Sequence, residues 1–489
     1  MNTTVPESAS LPVSAEPVST PSRAAELAVP SRASEPSRWL EGGVVVSLIA
    51  MVLLRLSSYG IWDPWELTVA DAARKLGEGT SAAPGTSLTL RLVQASFALF
   101  GTREWAGRLP LALSGLVLLA IIGLWVKRFS GARAALYSVL ILGTTPLFLL
   151  HSREMVGATP AFVASALVAV GATNAIFASD ATSKRSPWLW LALAALGAVL
   201  GTLASGALLT VLPPLAAVSA SALLLGTPFD RSLDASRRAA AWSVIAATVV
   251  VGYLVAHAVL HHGSEYSVWT GGAPLDEAVP TFERVITQLF HGLAPWSAAA
   301  PVALGALLWT DSSSRADAPL RLVCLLWATL AFAATTIFLS AFGSAAFAAP
   351  AAITIVIALW LASISERTDS YWPEFVITFL MLGLLIRDYA LYPSSPFDAL
   401  ALANASAPEK FNPRATWAGL FGAFGFALLL SCMATRERSP LDVRAPYRAL
   451  RTSWGKSPGH RAWLVGGGLL WLGLVIFGAL SVATPPGVR

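Results

Sequence analysis

The sequence predicts an all-α polytopic membrane protein of about 13 transmembrane helices, with juxtamembrane helices in its first long loop. Three observations lead there. Of 489 residues, 55% are hydrophobic and only 12% are charged, about half the charged share of a soluble domain. Mean hydropathy is +0.64. The apolar residues fall in runs that match the roughly 20 residues a helix needs to cross a bilayer, and basic residues collect in alternate turns. The net charge of +5 is therefore a topology signal, and no nucleic-acid partner is expected.

In chain order, residues 1–38 are rich in Ser, Pro, Ala and Glu and read as a disordered cytoplasmic tail. No cleaved signal peptide is expected, because the opening residues lack a basic start followed by a short apolar stretch. The first span runs from Glu41 to Ser58. Loop 59–108 is then outside. Leu109 to Val126 returns to the basic turn Lys127, Arg128 and Arg133, and Ala134 to Leu150 goes out to Ser152–Thr159. Pro160 to Phe177 comes back to Lys184 and Arg185. Two close spans split near Gly206 lead to Arg231, Arg237 and Arg238. Ala239 to Leu260 opens into outer loop 262–294, and Pro295 to Trp309 returns to Arg315 and Arg321. A pair meeting near Phe342 returns to Arg367. Tyr371 to Ile386 leads to outer loop 388–415, and Trp417 to Met433 to a basic cytoplasmic loop, 435–461. Residues 462–489 hold the last span and a short outer tail. The parity of this threading requires Leu88–Phe100, about thirteen residues, to lie in the interface rather than cross it. The spans and loops from 39 to 434 form one transmembrane domain. Cys324 and Cys432 both sit in apolar runs and read as buried thiols.

One polar stretch stands out, Tyr59 to Leu76, reading YGIWDPWELTVADAARKL. It places Asp63, Glu66 and Asp71 beside a span, where carboxylates are expensive to bury. Asp63-Pro64-Trp65-Glu66 reads as a helix start, with Asp63 as cap, Pro64 at the first position and Glu66 reaching back. Leu67, Ala70 and Leu76 give the following helix an apolar side, and Asp71, Arg74 and Lys75 face water. The stretch is read both as a surface helix and as the source of a carboxylate that accepts a proton from an acceptor hydroxyl.

This stretch, together with SLTLRLVQASFALFGTREWAGRLPLALSGL, the basic turn KRFSG, TPLFLLHSREM and TFERVITQLFHGLAPW, resembles the membrane glycosyltransferases of the C superfamily. It is similar above all to the group of protein O-mannosyltransferases and lipid A aminoarabinose transferases. The resemblance covers most of residues 40–310, and its most specific piece keeps Gly101, Glu104, Arg108, Leu109 and Pro110 in order. It implies transfer of a hexosyl or pentosyl group from a polyprenyl-phosphate carrier to a lipid, glycan or protein acceptor on the outer side of the membrane, without cofactor or metal. For a bacterial chain this is the inner membrane, with the site facing the periplasm. The family's paired acidic residues fall on Trp65-Glu66, so that Glu66 matches by register and Asp63, two residues upstream of Trp65, by chemistry. Arg91, Arg108, Arg153 and Arg387 are the candidates to hold the carrier phosphate. The chain departs from the family pattern at Ser87 and Ser205, where lysines are usual, and at Ala158, where an acidic residue is usual. A catalytically degenerate relative is therefore the alternative function, and a lipid-linked substrate transporter a lesser one, since mid-span charge is nearly absent.

Other polar groups have plainer readings. Arg153 and Glu154 read either as a local ion pair or as a phosphate contact through Arg153. His257, His261 and His262 read as an interfacial cluster, because no Glu follows in an HExxH pattern. Arg387-Asp388-Tyr389 reads as a snorkelling pair with an interfacial tyrosine. The basic 436–461 segment touches anionic lipid.

Overall fold

The computed structural model describes residues 38–400 except 55, 58–59, 81–86, 179–185, 262–266, 310–316 and 365–371, together with 402, 412 and 418. The predicted tail, the spans 417–433 and 463–483 and the basic 436–461 loop lie outside those residues. In chain order the helices are α1 (Arg38–Leu53), α2 (Trp65–Gly77), α3 (Leu88–Phe100), α4 (Glu104–Gly143), α5 (Pro146–Arg153), α6 (Thr159–Phe177), α7 (Pro187–Ser205), α8 (Ala207–Thr210), α9 (Leu212–Leu224), α10 (Ala235–Leu260), α11 (Phe282–Gly292), α12 (Ala300–Trp309), α13 (Ala318–Phe342), α14 (Pro350–Ile364) and α15 (Trp372–Leu391). Short 3-10 turns cover Trp296–Ala298 and Ser395–Leu400. Among the described residues six helical segments are long and apolar enough to cross a membrane, and the protein is all-α and polytopic.

Local chemistry sets the helix ends. Ser87 accepts from Leu90 N at 3.3 Å and starts α3. Thr145 accepts from Phe148 N at 3.3 Å and starts α5, with Pro146 at the first position. Helix α3 has the bounds the sequence predicts and packs on α2 and α4. Two predicted spans merge into α4, whose arms meet at Gly131 with φ +85°. That backbone is open to glycine at little cost. The kink falls inside the predicted basic turn, where Arg128 lies over the Trp190 ring at 5.0 Å.

Small residues bring α6 and α7 together. A Cβ on Gly171 would sit 2.6 Å from Ala194 N and Trp190 O, and one on Gly197 would sit 2.8 Å from Ala164 O. Close backbone approach through small residues is how membrane helices associate. Within its most apolar window α6 is 83% buried and α10 only 11%, so α6 is a central helix and α10 a peripheral one. Trp242, Val249, Val250 and Tyr253 of α10 are exposed, as suits a lipid-facing surface.

Three loops gather at one end of this body. Trp62 of loop 59–108 touches Phe397, ring to ring, at 5.5 Å. His151 at the end of α5 bonds Ala399 O at 2.9 Å. Gln288 of α11 donates to Ala399 O at 3.1 Å and to Ala345 O at 3.3 Å. The turn at 267–272 docks on the break between α7 and α8, with Leu208 N donating to Trp269 O at 2.8 Å. Gly206 and Gly271 meet there, with φ of +81° and +77°. A Cβ on either would come within 2.3 Å of the other segment's backbone.

Candidate functional site

The polar stretch folds around Glu66. Helix α2 starts at Trp65 with Pro64 as its flanking residue and has no side-chain cap, so the expected cap by Asp63 is not formed. The Glu66 carboxylate does reach back, but to Trp62 N at 3.1 Å. It is drawn there by Arg108, which lies in α4, 42 residues away in sequence. Arg108 donates through Nε to Glu66 Oε1 at 2.9 Å and through Nη2 to Glu66 Oε2. Both side chains are fully buried. Helix α2 therefore turns its Glu66 and Ala73 face inward and leaves Leu67 46% exposed, contrary to an apolar side made of Leu67, Ala70 and Leu76. On its solvent side Asp71 pairs with Arg74 at 2.9 Å and Lys75 at 2.6 Å, as expected for water-facing charges.

The rest of the Arg108 fork ties down the turn before α2. Nη1 donates to Leu56 O, and Nη2 to Gly60 O at 2.6 Å. The second polar loop joins through Met155, whose N donates to Glu66 Oε1 at 2.7 Å. Glu154 is buried, with Oε2 3.9 Å from Arg108 Nη2. Burial opposes ionisation of Glu66. The Arg108 guanidinium and the Met155 N–H more than offset it and hold the carboxyl below the ordinary glutamate value. The result is a charged, buried knot that fixes the Gly60–Trp65 turn, and on that turn Asp63 is exposed.

The other predicted residues take several places. Arg153 is half-buried and donates to Met51 O and, at 2.8 Å, to Leu54 O at the C-terminal end of α1, where a cation complements the helix dipole. Arg91 and Arg387 are exposed, Arg387 near the far end of α15. Asp388 lies 3.8 Å from His291 Nε2, and the Tyr389 hydroxyl donates to His291 O at 2.7 Å. Burial pushes His291 below its usual value against the pull of Asp398 and Asp388, and burial lifts Asp398. His257 and His261 are stacked at 4.3 Å on the exposed end of α10, and His262 lies outside the described residues. Among the described residues no cluster of three or more His, Cys, Asp or Glu could hold a metal ion. Cys324 is buried, and Cys432 lies outside the described residues.

The structure thus unites Glu66 with Arg108, sets Asp63 above them, and leaves Arg91, Arg153 and Arg387 elsewhere. Sequence reading missed Glu154 as a member of the knot, since adjacency to Arg153 suggested a local pair. It also missed a cavity of about 170 Å³ between α2, the end of α3 and the start of α4. Ile61, Leu67, Phe97 and Met155 supply its apolar wall, and Arg103 and Glu104 lie at its polar edge. Ile61 is two residues from Asp63, so the cavity opens beside the same turn.

Residues 85–256 match the family model of dolichyl-phosphate-mannose-protein mannosyltransferases. No curated protein matches the chain by sequence. Among solved structures, the fold is similar to that of ArnT from Cupriavidus metallidurans bound to undecaprenyl phosphate. The TM-score is 0.50 at 16% identity, over 91% of this chain and 77% of that one. Apo ArnT from the same organism gives 0.51 at 15% identity, over 90% and 76%. A weaker likeness, TM-score 0.43 at 13% identity, joins 79% of this chain to 58% of the archaeal oligosaccharyltransferase AglB from Archaeoglobus fulgidus. The family model covers about a third of the chain, and the likeness to ArnT is one of fold.

Proposed function

We propose that this chain transfers a sugar from a polyprenyl-phosphate carrier to an acceptor on the outer side of the membrane, with Asp63 at the reacting surface. The observation that carries this reading is the turn itself. A buried Glu66–Arg108 pair holds an exposed carboxylate at the end of the body where three polar loops converge. A general base must be rigidly placed and must also reach its proton. Asp63 meets the second need, and the knot beneath it the first. In the reaction, the acceptor nucleophile attacks the anomeric carbon, the bond from that carbon to the phosphate oxygen breaks, and Asp63 takes the acceptor proton. The carrier phosphate departs with the bonding pair and is stabilised by cations. Arg91 and Arg387 are exposed and can serve there. Arg153 can do so by leaving the α1 carbonyls. Arg108 acts from beneath, through the turn it holds. The undecaprenyl phosphate bound to ArnT and the mannosyltransferase family match support a lipid-phosphate donor, and a lipid, glycan or protein hydroxyl is the acceptor. The membrane is the bacterial inner membrane and the site faces the periplasm.

A second reading, a catalytically degenerate relative, has its own observation. Of the three positions that depart from the family pattern, Ser87 has a structural task for its side chain, and the other two make their contacts through the backbone. Ser87 caps α3. Ser205 O faces the Gly271 backbone. Ala158 N donates to His151 Nδ1 at 3.1 Å. One experiment separates the two readings: transfer from a panel of polyprenyl-phosphate sugars, in membranes, by the wild type and by Asp63→Asn. Transfer by the wild type and its loss in Asp63→Asn supports the enzyme. No transfer by the wild type from any donor supports the degenerate relative. Equal transfer by both proteins removes Asp63 from the mechanism.

A further inference from the structure

The cavity between α2, the end of α3 and the start of α4 joins an apolar wall to a cation at its edge. Its volume of about 170 Å³ is close to the roughly 150 Å³ that accepts a benzene-sized group. Leu67 and Ala70 of α2, Phe97 of α3, Ile61 and Met155 form the wall. Four charged residues line the edge, and three of them have a local explanation. Asp71 and Arg74 pair with each other at 2.9 Å, and Arg74 also pairs with Glu78 at 2.7 Å. Glu104 lies in the first turn of α4, where the helix dipole favours a carboxylate. The dipole gives no such reason for Arg103, which precedes that turn. The Arg103 side chain is exposed, and among the described residues it has no ion pair or hydrogen bond.

Beyond Phe97 the chain presents apolar surface. Ala98 is exposed, Leu99 is 77% exposed and Phe100 47%. Helix α3 is apolar and 13 residues long, too short to cross a bilayer core of about 30 Å and suited to lie along its surface. A soluble anion gains nothing from that surface, whereas a lipid does. The guanidinium and the apolar wall match the two halves of an anionic amphiphile.

We propose that this cavity is the acceptor subsite and that the acceptor is a membrane lipid with a phosphate and a hydroxylated headgroup. Arg103 holds the lipid phosphate, the first apolar carbons fill the cavity, and the rest of the chain runs over α3 into the bilayer. The acceptor role rests on the glycosyltransferase reading, while the lipid site rests on the cavity alone. Ile61 lines the cavity, and Asp63 follows it by two positions on the same turn. A headgroup held on Arg103 therefore turns its hydroxyl toward Asp63. The hydroxyl oxygen bonds to the anomeric carbon, its proton passes to Asp63, and the carrier phosphate leaves with the bonding pair. Arg103 is a specificity-determining residue, because it selects the charged lipid and takes no part in the proton transfer.

The test has a binding arm and a transfer arm, with the unfolding midpoint measured for every variant. In the first, the purified full chain in neutral detergent is photolabelled with a lysophosphatidylglycerol bearing a diazirine at the start of its acyl chain. Mass spectrometry then maps the labelled peptides. The expected label falls on segments 61–74 and 97–107. Ala70→Phe, which fills the cavity and leaves its charges alone, abolishes the label. Arg103→Gln lowers it about tenfold, the scale of one hydrogen bond to a charged group, and Arg103→Lys restores most of it. Glycerol phosphate, a headgroup without a chain, and monoacylglycerol, a chain without a phosphate, do not protect at the concentration where unlabelled lysophosphatidylglycerol does. Label confined to other segments, equal labelling of wild type and Arg103→Gln, or equal protection by glycerol phosphate or by a soluble acidic peptide overturns the proposal. Arg103 is exposed, so its variants keep the fold and decide the matter even where Ala70→Phe does not fold. In the transfer arm, lysophosphatidylglycerol is the acceptor. Arg103→Gln is expected to raise its KM about tenfold with kcat unchanged, and an equal KM overturns the selecting role. A labelled cavity with no transfer by the wild type overturns the acceptor role together with the enzyme reading and leaves the lipid site standing.

Discussion

At the scale of single residues, two carboxylates four positions or fewer from one another do different work. Glu66 is locked into Arg108 with no exposure, while Asp63 is open to solvent. The structure thus separates two residues that the sequence could only offer as a pair. Register favoured Glu66 and chemistry favoured Asp63, but neither reveals that an arginine 42 residues away would claim one of them. Breaking a buried ion pair by removing one partner typically costs about 3–5 kcal/mol, because the other charge is left uncompensated. Glu66→Gln is therefore expected to lower the unfolding midpoint sharply, and Asp63→Asn to leave it unchanged. In transfer assays the order reverses in character. Asp63→Asn should lose about 10²–10⁴-fold in rate with an intact fold, the range for a missing general base. The loss in Glu66→Gln should track its loss of folded protein. Calorimetry and transfer measured on the same preparations check this, and an unfolding midpoint unaffected by Glu66→Gln would refute the anchoring role. The pH dependence has a definite sign as well. Glu66 titrates below its ordinary value in the folded protein. Its contribution is present above the unfolded glutamate value of about 4.3 and is lost as pH falls through the folded one.

At the scale of elements, most helices were legible because apolar run length and terminal chemistry act locally. The expected helix Leu88–Phe100 has those bounds in the structure, whereas the expected span from Ala134 to Leu150 is broken between α4 and α5, where Thr145 and Pro146 start a new helix. What escaped was set by distant partners. Which face of α2 turns inward depends on Arg108, and the kink by which α4 runs on past its basic turn falls at one glycine, Gly131. The docking of 267–272 onto the α7–α8 break was equally hidden. It depends on two glycines 65 positions apart whose backbones meet. Gly271→Ala would add a Cβ both at positive φ and about 2.2 Å from Ser205 O. The strained backbone conformation alone is worth about 1–2 kcal/mol, and the overlap adds to it. The expected outcome is faster hydrogen exchange in the amides of Ala207 and Leu208, which lose their partners, and unchanged exchange there in Gly305→Ala, where nothing lies within 4 Å of the added Cβ. The seat of α11 has its own signature. His291 is held neutral by burial and loses stability when it must charge, so its contribution is present above about pH 6.5 and falls away as pH drops. His291→Gln should flatten the unfolding midpoint between pH 6.5 and pH 5 relative to the wild type.

At the scale of the whole molecule, the arrangement follows from where charge can be afforded. A helical body with an apolar surface leaves polar chemistry to its ends, and the two ends differ. One carries the knot, the cavity and the His291 pair. The other carries Lys127, Arg128, Arg133, Arg231 and Arg237 in short turns. From the basic count the second end is expected on the cytoplasmic side and the knot on the outer one. That loops 59–108, 262–294 and 388–415 share a face was an expectation from counting. The described parts of all three meet in space through Trp62, Gln288, Phe397 and Ala399. Sidedness itself is open to a direct experiment. In a chain with both cysteines replaced, single cysteines are placed at Thr80, Glu277 and Ser232, all exposed, and intact cells are treated with a membrane-impermeant maleimide. Thr80 and Glu277 should label in intact cells, and Ser232 only after permeabilisation. Labelling of Ser232 alone in intact cells would invert the orientation while leaving the fold untouched, and would move the proposed reaction to the cytoplasmic face. Labelling of Thr80 without Glu277 would be the more serious outcome, because those loops cannot lie on opposite sides of a membrane and still meet over the same knot.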